Sequence, residues 1–265
     1  MRKIHHNSIS DVTTIATMVA TLLLGGTVIV NGTEVFGQQE MGEMASSPTT
    51  SFLTNQTSEG GWKSSFNLEN CDFTSTGKNS YFVLEPGYQV VLEEEDGEKL
   101  QLVMSVLNET KIVDGVETRV VEEKETEGGN LIEVSRNYFA ICNPTNDAIY
   151  FGEDVDMYEN GNIVSHEGAW LAGQNGAKAG MIIPGKIEVG LKYYQEIAPG
   201  VAEDRAEIVS INDTLDTPAG TFSNILKTEE TNPLKPGEKE FKLYAPGIGL
   251  IQDEALRLVK HTPPS

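Results

Sequence analysis

Residues 98–123 read EKLQLVMSVLNETKIVDGVETRVVEE. Leu100, Leu102, Met104 and Val106 fall on alternate positions, with Lys99, Gln101 and Ser105 between them. A period of two puts the apolar set on one face, which is the pattern of a half-buried antiparallel strand. Residues 108–113 and 116–123 flank Asp114-Gly115. That dipeptide suits the type I′ hairpin turn, whose two central residues both take positive φ. This part of the chain is therefore antiparallel β.

The same reading extends in both directions. Upstream, residues 88–94 form a strand joined to 98–107 through Asp96-Gly97. Residues 71–86, with Phe73, Tyr81, Phe82 and Leu84, form a lead-in segment lying across the sheet. Downstream, Gly128-Gly129 turns into a strand over 131–142, which Asn143-Pro144 ends. Residues 148–152 and 162–166 flank Asn160-Gly161, a second strong hairpin signal. Further strands fall at 191–197, 205–211, 222–228, 239–244, 248–252 and 256–260. Tyr193 and Tyr194 take opposite faces of the first of these. Five of the eleven prolines (Pro86, Pro184, Pro199, Pro236 and Pro246) are followed by glycine, the arrangement of a type II turn. No segment after residue 60 carries a helical apolar stripe. The fold expected is all-β: a strongly curved antiparallel sheet or half-open barrel of about a dozen short strands, with a two-sheet β-sandwich as the alternative.

Residues 167–185, EGAWLAGQNGAKAGMIIPG, break the pattern. They are too glycine-rich for a helix, since each glycine costs about 1 kcal/mol there, and they lack strand alternation. Two readings follow: a structural loop packed through Trp170, Met181, Ile182 and Ile183, or a loop covering a ligand.

The N-terminus has Arg2 and Lys3 followed by an uncharged, Ile-, Leu-, Val- and Thr-rich run over 12–30. This reads as an export signal with a cleavage site after Gly37, or as an uncleaved anchor tethering the chain to a membrane. Residues 38–61 have little bulk and read as a flexible stalk. The division expected is 1–37 signal or anchor, 38–61 stalk and 62–265 a single all-β domain, placed outside the cytoplasm.

The net charge of −21 excludes a nucleic-acid partner, which needs a basic patch. It suits either solubility outside the cell or capture of cations and basic partners. The two cysteines, Cys71 and Cys142, permit one disulfide in an exported protein. It would close a loop of roughly 70 residues, worth about 4 kcal/mol by chain entropy. A metal pair with His166 or His261 is the competing reading, although the spacings match no zinc pattern. Asn55, Asn108 and Asn212 sit in Asn-x-Ser/Thr triplets and are candidate glycan acceptors.

No nucleophile elbow, zinc-protease helix motif or phosphate-cradling loop occurs. Asp154 and Asp156 lie two apart, on one face of a strand, and are candidate Ca²⁺ ligands; the alternative is a solvated hairpin. His166 lies beside Trp170. A carboxylate pair for glycan hydrolysis is compatible with so acidic a chain, and nothing in the sequence singles one out.

The segments YFVLEPGYQ (81–89), NYFAI (137–141), YFGEDVDMYENG (150–161), HEGAWLAGQNGAKAGMIIPG (166–185), YYQEIAPGVAEDRAE (193–207), TPAGTF (217–222) and YAPGIGLI (244–251) resemble a widespread group of exported bacterial and archaeal proteins. Members of that group are often predicted lipoproteins and mostly have no assigned function. At the level of fold, the terminal hairpins also resemble the curved-sheet proteins related to lipoprotein carriers, in which a half barrel buries acyl chains. That resemblance implies a concave binding face. Together these readings lead to an expected function: a non-catalytic cell-envelope binding protein for an apolar or amphipathic ligand such as a lipid, without a cofactor. Trp170, His166, Met181, Tyr193 and Tyr194 are the candidate contacts. The alternatives are a cell-surface interaction module without a ligand, and a carboxylate-dependent glycan hydrolase.

Overall fold

The computed structural model of the chain describes residues 61–95 and 99–264. The proposed signal, the proposed stalk up to residue 60 and Asn55 lie outside these residues, as does the Asp96-Gly97 turn. The described residues contain no α-helix, and no helix long and apolar enough to cross a membrane. In chain order the strands are β1 (Asp72–Thr74), β2 (Gln89–Glu94), β3 (Leu100–Val113), β4 (Val116–Glu127), β5 (Asn130–Asn143), β6 (Asp147–Glu159), β7 (Asn162–Ser165) and β8 (Trp170–Leu171). They continue as β9 (Lys178–Ile183), β10 (Lys192–Tyr194), β11 (Glu196–Ile197), β12 (Arg205–Thr217), β13 (Gly220–Thr231), β14 (Glu240–Ala245), β15 (Gly249–Asp253) and β16 (Leu256–Thr262).

Thirteen of these form one antiparallel sheet, in the order β10-β12-β13-β14-β15-β16-β2-β3-β4-β5-β6-β9-β11. The sheet is nearly closed and barrel-shaped, so the barrel reading holds over the sandwich. Its two ends meet in an unusual way. β10 pairs with β12 and β11 pairs with β9, and Gln195 alone separates β10 from β11. One short stretch of chain therefore belongs to both ends of the sheet and stitches the seam. At the seam, a Cβ on Gly180 would stand 2.2 Å from the Gln195 carbonyl oxygen and 2.8 Å from the Glu196 nitrogen. Both are backbone atoms that cannot rotate away. Gly180→Ala is expected to force β9 and β11 apart and to cost about 3 kcal/mol, the upper part of the overpacking range. That corresponds to a loss of about 10 °C in melting temperature for a domain of this size, measurable by calorimetry.

Cross-strand register identifies the inward face. One row runs Ile208–Thr228–Lys242–Asp253–Leu256–Glu94, and another Val90–Met104–Glu123–Ser135–Val155. A third runs Val121–Asn137–Glu153–Trp170, and a fourth Leu258–Leu92–Leu102–Glu125–Glu133. The interior is thus apolar on the β2, β3 and β16 side and rich in carboxyls elsewhere. In these rows Lys242 is the one basic side chain.

The lead-in segment closes one end of the barrel. The Arg119 Nε donates to the Ser75 carbonyl at 2.8 Å, Asn79 Nδ2 to the Ile183 carbonyl at 3.2 Å, and the Tyr81 hydroxyl to the Asn224 carbonyl at 2.9 Å. The Gly247 N–H donates to the Ser80 carbonyl at 2.8 Å, so four separate parts of the rim hold the segment. The Cys71–Cys142 disulfide, expected from the sequence, ties its start to β5.

Several local readings change. The GEDVDMY run is the end of β6 and the first arm of a hairpin, because β6 continues to Glu159 and pairs with β7 across the Asn160-Gly161 turn. The glycine stretch contributes two strands, β8 and β9. β9 shows no alternation because Ala179 to Ile183 are all buried, on both faces of the sheet. Of the Pro-Gly pairs, Gly87, Gly200, Gly237 and Gly247 have the positive φ of type II turns, whereas Gly185 does not. Gly185 is required for another reason: its Cβ would meet the Thr145 carbonyl oxygen at 2.1 Å.

Candidate functional site

The Val121–Asn137–Glu153–Trp170 row leads to the site. β8 can lie against β6 because Gly152 has no side chain; its Cβ would fall 2.3 Å from the Trp170 carbonyl oxygen, and its φ of 132° suits glycine. This close approach places Trp170 directly opposite Glu153. The indole packs edge-on against Tyr150 at 5.3 Å, Tyr150 stacks on Phe139 at 4.7 Å, and Phe139 meets Phe82 at 5.1 Å. An aromatic column therefore runs from the plugged end to Trp170, and each such pair contributes about 1 kcal/mol beyond its burial.

Beyond Trp170 the glycine stretch and the turn at 198–201 flank a half-open cavity of about 200 Å³. Ala169, Leu171, Ala177, Ala198, Pro199 and Val201 give it apolar walls, and Glu153 and Trp170 form part of its lining. Both carboxyl oxygens of Glu153 are buried without a hydrogen-bond partner among the described residues, and so is the indole Nε1 of Trp170. Tyr150 lies close to Glu153, but its hydroxyl gives its proton to Asn137 Oδ1 at 2.5 Å. Burial holds the Glu153 carboxyl well above the usual range, and the neighbouring Glu133 charge adds to the effect. Glu196 on β11 is raised well above its ordinary value by burial first and by Asp204 second, while the nearby indole of Trp170 favours its charged form. Perturbed carboxyls grouped at a cavity are the usual mark of a binding or reactive site.

The other inward carboxyls follow the same physics. Burial pushes Glu123 up to about 7, Glu240 to about 8 and Glu133 to about 9, from an ordinary value of 4.5. These groups hold a proton more tightly in the folded chain than in the unfolded one. Their contribution to stability is complete below pH 4.5 and is lost as the pH rises through about 7, 8 and 9. The expected result is a melting temperature that falls between about pH 5 and about pH 9. Thermal unfolding at constant ionic strength checks it; a flat or rising profile would contradict the assignment.

The structure disperses the residues singled out from sequence. Trp170 alone among the five proposed contacts lines the cavity. Met181 is buried in the core. Tyr193 is fully buried in the barrel, with its hydroxyl donating to the Ile182 carbonyl at 3.3 Å. Tyr194 is half-buried and packs edge-on against Trp62 at 6.4 Å. His166 has a 68% exposed side chain and places Nδ1 2.9 Å from Asp156 Oδ1 and 2.8 Å from the Val155 carbonyl. Asp154 lies 2.9 Å from Lys111 Nζ and accepts from the Tyr138 hydroxyl at 2.5 Å, and Asp156 faces Arg136 at 3.5 Å. Both aspartates are already paired, and Asp154 also forms part of the cavity lining beside Glu153. No group of three or more His, Cys, Asp or Glu side chains able to hold a metal occurs among the described residues. Asn108 on β3 and Asn212 on β12 are exposed and open to a glycan.

Sequence reasoning missed Glu153, Glu196 and the Lys242 group. The signal for Glu153 was present, since Val155 two positions on is apolar and shares its face. Glu196 carried none, because its burial depends on the seam. Compared with protein-family models, with curated proteins and with solved structures, the chain matches none.

Proposed function

We propose that the chain is an exported, non-catalytic binding protein of the cell envelope that takes an amphipathic small molecule in the cavity beside Trp170. The observation that carries this reading is the unpartnered Glu153 carboxyl in a cavity of mixed lining, where apolar walls stand beside Asp154, Gln174 and Asn175. A buried polar group without a partner costs about 1–3 kcal/mol, and a ligand bringing a hydrogen-bond donor removes that cost. The apolar walls and the indole then receive the ligand's hydrocarbon part. The acidic surroundings favour an amine or alcohol head over a carboxylate.

Octylamine, octanol and octanoate test this in a Trp62→Phe background, where Trp170 is the remaining tryptophan and its fluorescence reports on the cavity. The amine and the alcohol are expected to bind and octanoate to bind at least tenfold more weakly, a difference of about 1.4 kcal/mol. Glu153→Gln should remove the preference for the amine over the alcohol, and Trp170→Ala should weaken both. Absence of binding by all three would favour an interaction module with a self-filled interior. The raised carboxyls Glu153 and Glu196 beside an indole also support a second reading, glycan hydrolysis through two carboxyls. Turnover of an oligosaccharide panel, abolished by Glu153→Gln, would establish it.

A further inference from the structure

Inside the barrel, Lys242 and Asp253 face each other across β14 and β15. Each side chain is 1% exposed, and Lys242 Nζ stands 3.3 Å from Asp253 Oδ2. Neither Asp253 oxygen accepts a hydrogen bond among the described residues. Glu230 completes the group. Its Oε1 is held by Gln195 Nε2 and the Thr228 hydroxyl, each at 3.1 Å, which leaves Oε2 3.7 Å from Lys242 Nζ. An amine, a carboxyl and a second carboxyl able to move protons thus meet where water is excluded.

We propose that Lys242 and Asp253 condense to an intramolecular amide, with Glu230 as the proton-transfer residue. The Nζ–Cγ bond forms and one Cγ–Oδ bond breaks. Of the three protons on the ammonium, one stays on the amide nitrogen and two leave with the departing oxygen as water. One proton passes from Nζ to Asp253 Oδ2 across their 3.3 Å contact; after the nitrogen attacks, the Glu230 carboxylate takes the second from Nζ and returns it to the departing oxygen, so it ends as it began and no oxidant or other reactant is required.

Two physical arguments favour the step. A fully buried ion pair loses more hydration than its attraction returns unless its geometry is excellent. Here the carboxylate lacks hydrogen bonds, and the amide removes both charges at once. Held groups of this kind also reach effective concentrations of about 10⁵–10⁸ M, which offsets the dominance of hydrolysis in open water. The resting amine is charged: burial alone would favour its neutral form, but Asp253 and Glu230 outweigh that and hold the ammonium. The first event is therefore a proton transfer. Glu230, itself raised by burial, is suited to take part because it carries a proton readily.

The full chain, unfolded and digested with trypsin, gives the test. Residues 240–257 (EFKLYAPGIGLIQDEALR) contain one internal cleavage site, at Lys242. The expected product is one peptide spanning 240–257, uncut at Lys242 and lighter by one water, with no backbone fragments released between 243 and 252. Separate peptides 240–242 and 243–257 of unmodified mass would overturn the proposal. Loss of water with normal cleavage at Lys242 would mean a cyclised aspartyl backbone instead, and would also overturn it. Glu230→Gln is expected to slow formation of the link at least tenfold, followed by the same map over time. A link that forms at the parent rate in this variant would overturn the role given to Glu230. The result does not depend on the cavity ligand.

Discussion

Replacing Lys242 with methionine removes the partner of both buried carboxyls, and with it the Lys242–Asp253 amide, and is expected to lower the stability of the domain by about 4 kcal/mol, the scale for leaving a buried charged group unpaired. Methionine fills a similar volume, so the loss comes from charge rather than from packing. Glu230 and Asp253 are left in the barrel facing each other with no cation, and the methionine side chain offers neither of them a donor. Glu230, whose carboxyl burial already raises, then ionises only at the expense of folding, so the deficit grows with pH. Adding Glu230→Gln and Asp253→Asn to the same chain should recover at least half of the loss, since the neutral amides remove the uncompensated charge. Urea unfolding of the three proteins, compared at one pH, measures both steps. An effect under about 1 kcal/mol for Lys242→Met would show that water reaches the group and that the barrel is wetter than its burial indicates.

Removing the disulfide has an effect of the same size. Cys71 and Cys142 are 71 residues apart, and their bridge restricts the unfolded chain by about 4 kcal/mol in the loop-entropy description. The Cys71→Ala, Cys142→Ala chain is expected to lose about that much stability in urea. Because β1 pairs with β5 over three residues only, the bridge is also what fixes the start of the plug. Hydrogen exchange should therefore accelerate first over residues 75–88, ahead of the barrel strands. Uniform acceleration over the whole sheet would mean that plug and barrel unfold as one unit.

The parts of the fold that show in the sequence are those decided by neighbours along the chain. The alternation at 98–107, the Asp114-Gly115 and Asn160-Gly161 turns and four of the five Pro-Gly turns are local, and all but residue 98, which lies outside the described residues, are present in the structure. Closure of the barrel is not local. It depends on residues 192–197 reaching both β12 and β9, and no periodicity records that. β9 was illegible because a strand buried on both faces loses the alternation that identifies strands. The β14 strand carries the clearest lesson. Alternation in EFKLY sends Phe241 and Leu243 inward and Lys242 out, yet Phe241 is 38% exposed and Lys242 is fully buried. The interior is partly acidic, so the usual link between apolar and inside fails at Phe241 and Lys242, although Leu243, Tyr244 and Ala245 on the same strand are buried. The site was half legible for the same reason. Trp170 stood out by size, whereas the carboxyls beside it resembled solvated surface charge in a chain of net charge −21.

The shared segment at the seam governs how the molecule meets its neighbours. An open sheet ends in two rows of unpaired N–H and C=O groups, each a template for another chain to add a strand. Here the last strand at either end is the same short piece of backbone. Its β10 part is covered on its outer side by Lys63, whose N–H donates to the Lys192 carbonyl at 2.9 Å and whose carbonyl accepts from the Tyr194 N–H at 3.0 Å. Its β11 part is backed by the Asp204 carbonyl, which accepts from the Gln195 and Glu196 N–H groups at 2.8 and 3.3 Å. At the seam neither end of the sheet offers a free edge for polymerisation. Addition of a foreign strand at the seam is thereby blocked, and cutting away residues 61–63 would reopen its β10 side while Asp204 still backs β11.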